Sequence, residues 1–134
     1  MKTVALDIGN KWTGSAISDA LGMFARPYKT VATKELEDFI TQLLKTETIS
    51  TIVIGYPKTM KGKESEQTKK TTEKKKLLEK KFTTVAWKLW DERLSSKRAA
   101  SAQRSQKKTD KNFSHSIAAA FILDSYLTYQ TNLK

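Results

Sequence analysis

Val4-Ala5-Leu6-Asp7-Ile8-Gly9 is a short apolar run with one carboxylate near its end. A run this short, closed by a Gly-Asn turn, reads as a buried strand rather than a helix. A charge in such a run is costly unless something offsets it. Leu89-Trp90-Asp91-Glu92-Arg93 repeats the pattern, an apolar run that terminates in acids. Carboxylates at strand ends are held rigidly at the edge of a sheet, where they can converge on a divalent ion. Asp7 is expected at such an edge.

The rest of the chain is basic. Lys and Arg number 25 against 14 Asp and Glu, a net charge of +11. That excess favours a polyanionic partner, most commonly nucleic acid; a merely solubilising surface is the alternative. Acids that hold Mg²⁺ or Mn²⁺ and lysines that hold a phosphate backbone are what a metal-dependent nuclease needs. The chain has no cysteine, which excludes disulfides, thiolate catalysis and zinc–thiolate sites and fits a reducing cytoplasm. A single histidine, His115, excludes a multi-histidine metal site. Asp7 interrupts the only apolar N-terminal run, so no signal peptide is expected. No run reaches the ~20 apolar residues of a membrane span. A cytoplasmic location with no membrane partner is the expectation, with residues 1–134 forming one domain.

The pattern predicts strands at 3–8, Thr13 to Ser18 and Phe24 to Val31, the last at an edge because of Pro27. Thr33 is expected to cap a helix whose stripe is Leu36, Phe39, Ile40, Leu43 and Leu44. Ser50 to Gly55 is a β-branched run suited to an inner parallel strand. Residues 58–81 are lysine-rich and predict a solvated, mobile helix over Glu64 to Lys80. A strand over Thr83 to Trp90, a short helix over Arg93 to Gln103, and a basic loop over Ser105 to Asn112 follow. Ser114 is expected to cap a final helix that reaches about Tyr129. The resulting order predicts an α/β protein: a five-stranded mixed sheet, a three-strand meander plus two parallel strands, with helices on both faces. This is the element order of the ribonuclease H-like fold.

Four segments resemble one family. Asp7 to Asp19 looks like its opening D-x-G-x-K-R-I-G-x-A-x-S-D. Gly55-Tyr56-Pro57-Lys58-Thr59-Met60-Lys61-Gly62 is similar to its G-L-P-x-x-M-x-G turn, and Trp90-Asp91-Glu92-Arg93-Leu94-Ser95-Ser96 to W-D-E-R-L-T-T. Ser114 to Leu127 resembles the terminal V-D-x-x-A-A-x-x-I-L-x-S-Y-L. Together they resemble the YqgF/RuvX family of pre-16S ribosomal RNA nucleases, also described as Holliday-junction resolvase-like. The resemblance implies metal-dependent phosphodiester hydrolysis and maturation of the 5′ end of precursor 16S rRNA in the bacterial cytoplasm. By that match Asp7 and Glu92 are metal ligands. Trp12 replaces the family arginine, Thr13 the isoleucine, and His115 the terminal-helix aspartate.

Asp7, Glu92 and His115 are therefore the candidate catalytic and metal-binding residues. A capped strand end or an ion pair with a lysine is the plain alternative for Asp7, and an ordinary ion pair is the alternative for Glu92. Neutral imidazole can ligate a metal and suits Mn²⁺ better than Mg²⁺. His115 could also act as a base or phosphate donor, or mark a lost ligand. Asp19 either caps a turn or serves as an outer carboxylate. Lys97, Arg98, Arg104, Lys107, Lys108 and Lys111, with Lys11 and Arg93, are the expected clamp for nucleic acid. Trp12 could stack on an unpaired base or simply pack, and Trp87 and Trp90 are expected to pack. The lysines of residues 58–81 read as a solvated face. The substrate is precursor rRNA or branched DNA, acted on by a monomer or weak homodimer. A third reading is an RNA-binding protein with a decayed site.

Overall fold

The computed structural model describes residues 1–56, 66–91 and 111–132. Strands β1 (Lys2–Ile8), β2 (Trp12–Ser18) and β3 (Ala25–Ala32) form an antiparallel meander. Strands β4 (Ile49–Tyr56) and β5 (Ala86–Asp91) join in parallel on the other side of β1, giving the order β3-β2-β1-β4-β5. Helix α1 (Leu36–Thr46) leads into β4, α2 (Glu66–Lys81) precedes β5, and α3 (Lys111–Asn132) follows. The mixed sheet expected from the sequence is present.

Period-2 alternation sorts the strand side chains onto two faces. Val4, Leu6, Ile17, Ile52 and Ile54 meet Leu36, Ile40 and Leu43 of α1 and Leu78 of α2. Ala5, Ala16 and Val53 meet Ala119, Ile122, Leu123 and Tyr126 of α3. β1 and β4 are covered on both sides, which is why they read as continuous apolar runs. The alanines on the second face let the α3 backbone lie close to the sheet.

β3 is the edge strand that Pro27 demands. Its register with β2 shifts between Gly14 and Ala16. The Ser15 hydroxyl fills the bulge: it donates to Lys29 O at 2.6 Å and accepts from Lys29 N at 3.0 Å.

Several boundaries differ from expectation. Thr33 does not cap α1; it begins a 3₁₀ turn, Thr33–Glu35, and its hydroxyl donates to Gly9 O at 2.8 Å. A tertiary acceptor outcompeted the local one. β5 starts at Ala86 rather than Thr83, and the Trp87 indole donates back to Phe82 O at 2.9 Å. α3 starts at Lys111, so Lys111 and Asn112 belong to a helix rather than a basic loop. The expected helix over 93–103 lies outside the described residues. α2 is anchored by Thr71 and Leu78, both almost fully buried. No described helix is long and apolar enough to cross a membrane.

Asp19 is a turn cap. Its Oδ1 accepts from Phe24 N at 2.9 Å and Met23 N at 2.8 Å, holding the β2–β3 turn. It follows the end of β2 remote from the Asp7–Gly14 pair, so the outer-carboxylate reading falls. The Phe24 amide bond, aided by Met23, holds its pKa below the ordinary aspartate value. A depressed folded pKa stabilises the turn above the unfolded value, about 3.9, and that contribution is lost as pH falls through the lower folded value. Amide exchange at Met23 and Phe24 should therefore quicken selectively below about pH 4. Asp19→Ala should exchange fast at every pH; equal protection in both proteins would refute the cap.

Candidate functional site

Asp7 is the next-to-last residue of β1 and shares the parity of Ala5, so it faces α3. Its register partners are Gly14 on β2 and Gly55 on β4. Neither neighbour carries a side chain, so the half-buried carboxylate stands in a trough cut into the middle of the sheet. Among the described residues Asp7 has no ion pair and no side-chain hydrogen bond. The ion pair that would have made it purely structural is not made by any of them. The row continues across the sheet to Trp90, the partner of Gly55.

The start of α3 roofs this row. A Cβ on Gly14 would overlap the His115 carbonyl and lie 2.7 Å from Ser116 N. Gly14 is thus required by close approach of helix to strand. The Ser116 hydroxyl bonds the Thr30 hydroxyl at 2.6 Å, fixing the helix over β3. Further along α3, Ser125 Oγ accepts from the Trp90 indole at 3.2 Å. Tyr126 meets the same ring edge-on at 5.5 Å. So α3 is pinned at both ends, and half-buried His115 is carried to the residue beside Asp7.

The turn after Asp7 is equally fixed. Gly9 N donates to Trp12 O at 2.9 Å, and a Cβ on Gly9 would come within 2.7 Å of that oxygen. Thr33 N donates to Lys11 O at 3.0 Å, and the Thr33 and Thr13 hydroxyls bond at 2.9 Å. Lys11 is exposed and Trp12 half-buried on this clamped turn. Trp87 and Trp90 pack on opposite faces of the sheet, as expected.

Glu92 follows directly on Asp91, the last residue of β5, and lies outside the described residues. So do Arg93, Lys97, Arg98, Arg104, Lys107 and Lys108; Lys111 is the first residue of α3. Asp7, His115 and the Lys11–Trp12 turn are brought to one edge. No group of three His, Asp or Glu gathers among the described residues. The role of Gly14 and Gly55 as flanks of Asp7, and of Thr33 as the clamp, was not read from the sequence. Strand register reveals the first, and nothing local signals the second.

The family model of RuvX, Holliday junction resolvase, matches residues 1–129. A "Putative pre-16S rRNA nuclease" of Shouchella clausii is 39% identical over 144 residues, covering 98% of each chain. One of the same name from Rubrobacter xylanophilus is 32% identical over 128 residues, covering 94% of this chain and 91% of that one. Among solved structures, T. thermophilus RuvC in complex with a Holliday junction substrate superimposes with a TM-score of 0.62. At 12% identity, covering 98% of this chain and 96% of that one, RuvC shares the fold. That fold is ribonuclease H-like, and the chain belongs to the RuvX family of Holliday-junction-resolvase-like, pre-16S rRNA nuclease proteins.

Proposed function

We propose that this chain is a metal-dependent nuclease that hydrolyses a phosphodiester bond at the 5′ end of precursor 16S rRNA in the bacterial cytoplasm. The carrying observation is Asp7, a half-buried carboxylate between two glycines, without a basic partner among the described residues. Such a group suits a hard cation that keeps several of its waters. Asp7, Glu92 and His115 would hold Mg²⁺ or Mn²⁺. When bound, the ion supplies an activated water and charge stabilisation for the leaving oxygen. The chain's own residues do the rest. Lys11, Arg93, Lys97, Arg98, Arg104, Lys107, Lys108 and Lys111 hold the phosphate backbone, and Trp12 offers a stacking surface.

The test is cleavage of a precursor-16S 5′ fragment with Mg²⁺, Mn²⁺ or chelator. Cleavage only with metal supports the reading. Tight, salt-dependent RNA binding with no cleavage would instead favour a binding protein with a decayed centre. The relatives' family description motivates branched DNA as the competing substrate. A symmetric four-way junction calls for a two-fold dimer. Junction cutting by a dimer, with precursor RNA left intact, would move the assignment there.

His115 replaces a hard oxygen with imidazole nitrogen, which suits Mn²⁺ better than Mg²⁺. The wild-type protein should cleave faster with Mn²⁺. His115→Asp should shift the Mg²⁺/Mn²⁺ rate ratio toward Mg²⁺ by on the order of tenfold, the lower end of what metal-environment changes cost. An unchanged ratio would remove His115 from the metal.

A further inference from the structure

Behind the clamped turn lies a feature that the sequence reading gave to solvent. Ile8, Asn10 and Thr33 face Lys70, Thr71 and Lys74 of α2 across a cavity of about 140 Å³. Asn10 is also a wall of a second depression of about 340 Å³, lined by Lys11, Trp12, Ala32 and Lys34. The two hollows therefore adjoin along the rim of the sheet. Ile8 belongs to the α1/α2 side, so the first hollow is opposite the face that Asp7 presents. Trp12 shares the parity of Gly14 and Ala16 and stands on Asp7's own side of the sheet, with Asn10 at the crossing between them. Asn10 is three residues from Asp7, at most about 11 Å away along the chain.

Lys74 is the telling residue. The face of α2 toward the sheet is set by Thr71 and Leu78, both buried. Lys74 falls between them at i+3 from Thr71, and is half-buried. A lysine there lays its stem on the sheet and carries its ammonium to the hollow. Lys75 and Lys81 pair with Glu79 and Glu37. Lys70, Lys74, Lys11 and Lys34 have no ion pair among the described residues. Unpaired Lys70 and Lys74 on one side of the turn fixed by Thr33, and the half-buried indole with Lys11 and Lys34 on the other, form a path over the rim complementary to a strand of alternating phosphates and bases.

We propose that this rim binds an unpaired nucleic-acid strand leading away from the Asp7 centre, with Lys70 and Lys74 on phosphates and Trp12 stacked on a base. The proposal rests on the nuclease reading for its substrate. The ligand chemistry is a sugar–phosphate chain with unstacked bases, which RNA and DNA share.

The test is binding by the full chain in chelator, so that no cleavage intervenes. The probes are a fluorescent duplex with an unpaired extension and the same duplex blunt-ended, each made as RNA and as DNA. The wild-type protein should prefer the extended probe about tenfold, the size of one base–aromatic stack. Trp12→Ala should lose that preference and Trp12→Phe should keep most of it, which separates stacking from a folding defect. Lys70→Ala/Lys74→Ala should lower the slope of log affinity against log salt by about 1.4, two single-strand phosphate contacts. Lys76→Ala/Lys80→Ala, on the same helix but off the groove, should do neither. Equal losses from the two lysine pairs, or no preference for the extension, would overturn the rim. Tighter binding of the RNA or of the DNA probe supports it equally and identifies the sugar. Because binding is read without metal, a rim that behaves as expected in a protein that never cleaves would sink the nuclease reading and leave this one standing.

Discussion

Asp7→Asn is expected to lower metal-dependent cleavage by about 10³-fold or more while leaving the fold as stable as before. The size follows from the several kcal/mol of transition-state stabilisation a catalytic ion provides, each ~1.4 kcal/mol being tenfold. The stability half follows from the trough. Asp7 has no basic partner among the described residues, so asparagine removes a charge without orphaning another there. Binding of Mg²⁺ or Mn²⁺ at a hundredfold excess over Kd should stabilise the wild-type protein by about 2.7 kcal/mol, a rise of roughly 10 °C in Tm. The variant should show little of that rise. A calorimetric melt thus reports on the ligand independently of turnover. Full cleavage by the variant, or an equal metal-induced rise, would take Asp7 out of the centre.

Gly14→Ala is expected to destabilise the protein by about 3 kcal/mol, the upper end of overpacking costs. The obstruction is backbone: the His115 carbonyl and Ser116 N occupy the space a methyl group needs. No rotamer can relieve it; α3 has to lift from the sheet. Lifting α3 also withdraws His115 from Asp7, so cleavage should fall although no candidate ligand has changed. Two comparisons isolate the cause. Ser116→Ala removes only the hydroxyl bond to Thr30 and should cost about 1 kcal/mol. Gly22→Ala meets no atom within 4 Å and only strains a φ of 69°, so it should cost about 1 kcal/mol with activity intact. Denaturant melts of the three variants give the ranking. A Gly14→Ala protein as stable as Gly22→Ala would mean that α3 does not seat where described.

The sheet was legible in the sequence because its inner strands are apolar on both faces and its edge strand carries Pro27. Those signals depend on burial alone. Element ends were less legible. Thr33 has the chemistry of a helix cap, but Gly9 O, distant in sequence, was the better partner. Lys111 and Asn112 are polar enough for a loop, yet they extend a helix whose later turns are anchored by Trp90 and Tyr126. At the site, Asp7 stood out as a charge in an apolar run. Its two glycine neighbours could not, since pairing Asp7 with Gly14 and Gly55 needs the register of three strands. Lys74 was masked by composition: among so many lysines, only the buried Thr71 and Leu78 show which one faces inward.

The roof over Asp7 comes from α3, the last element in chain order, while the floor comes from β1, the first. During synthesis the N-terminal strands emerge well before the helix that covers them. Until α3 docks, Ala5, Ala16, Val53 and Trp90 have no cover from it, and the backbone of His115 and Ser116 does not yet lie over Gly14, the register partner of Asp7. Assembly of the centre is therefore coupled to completion of the fold, so a partly made chain holds the carboxylate without its roof.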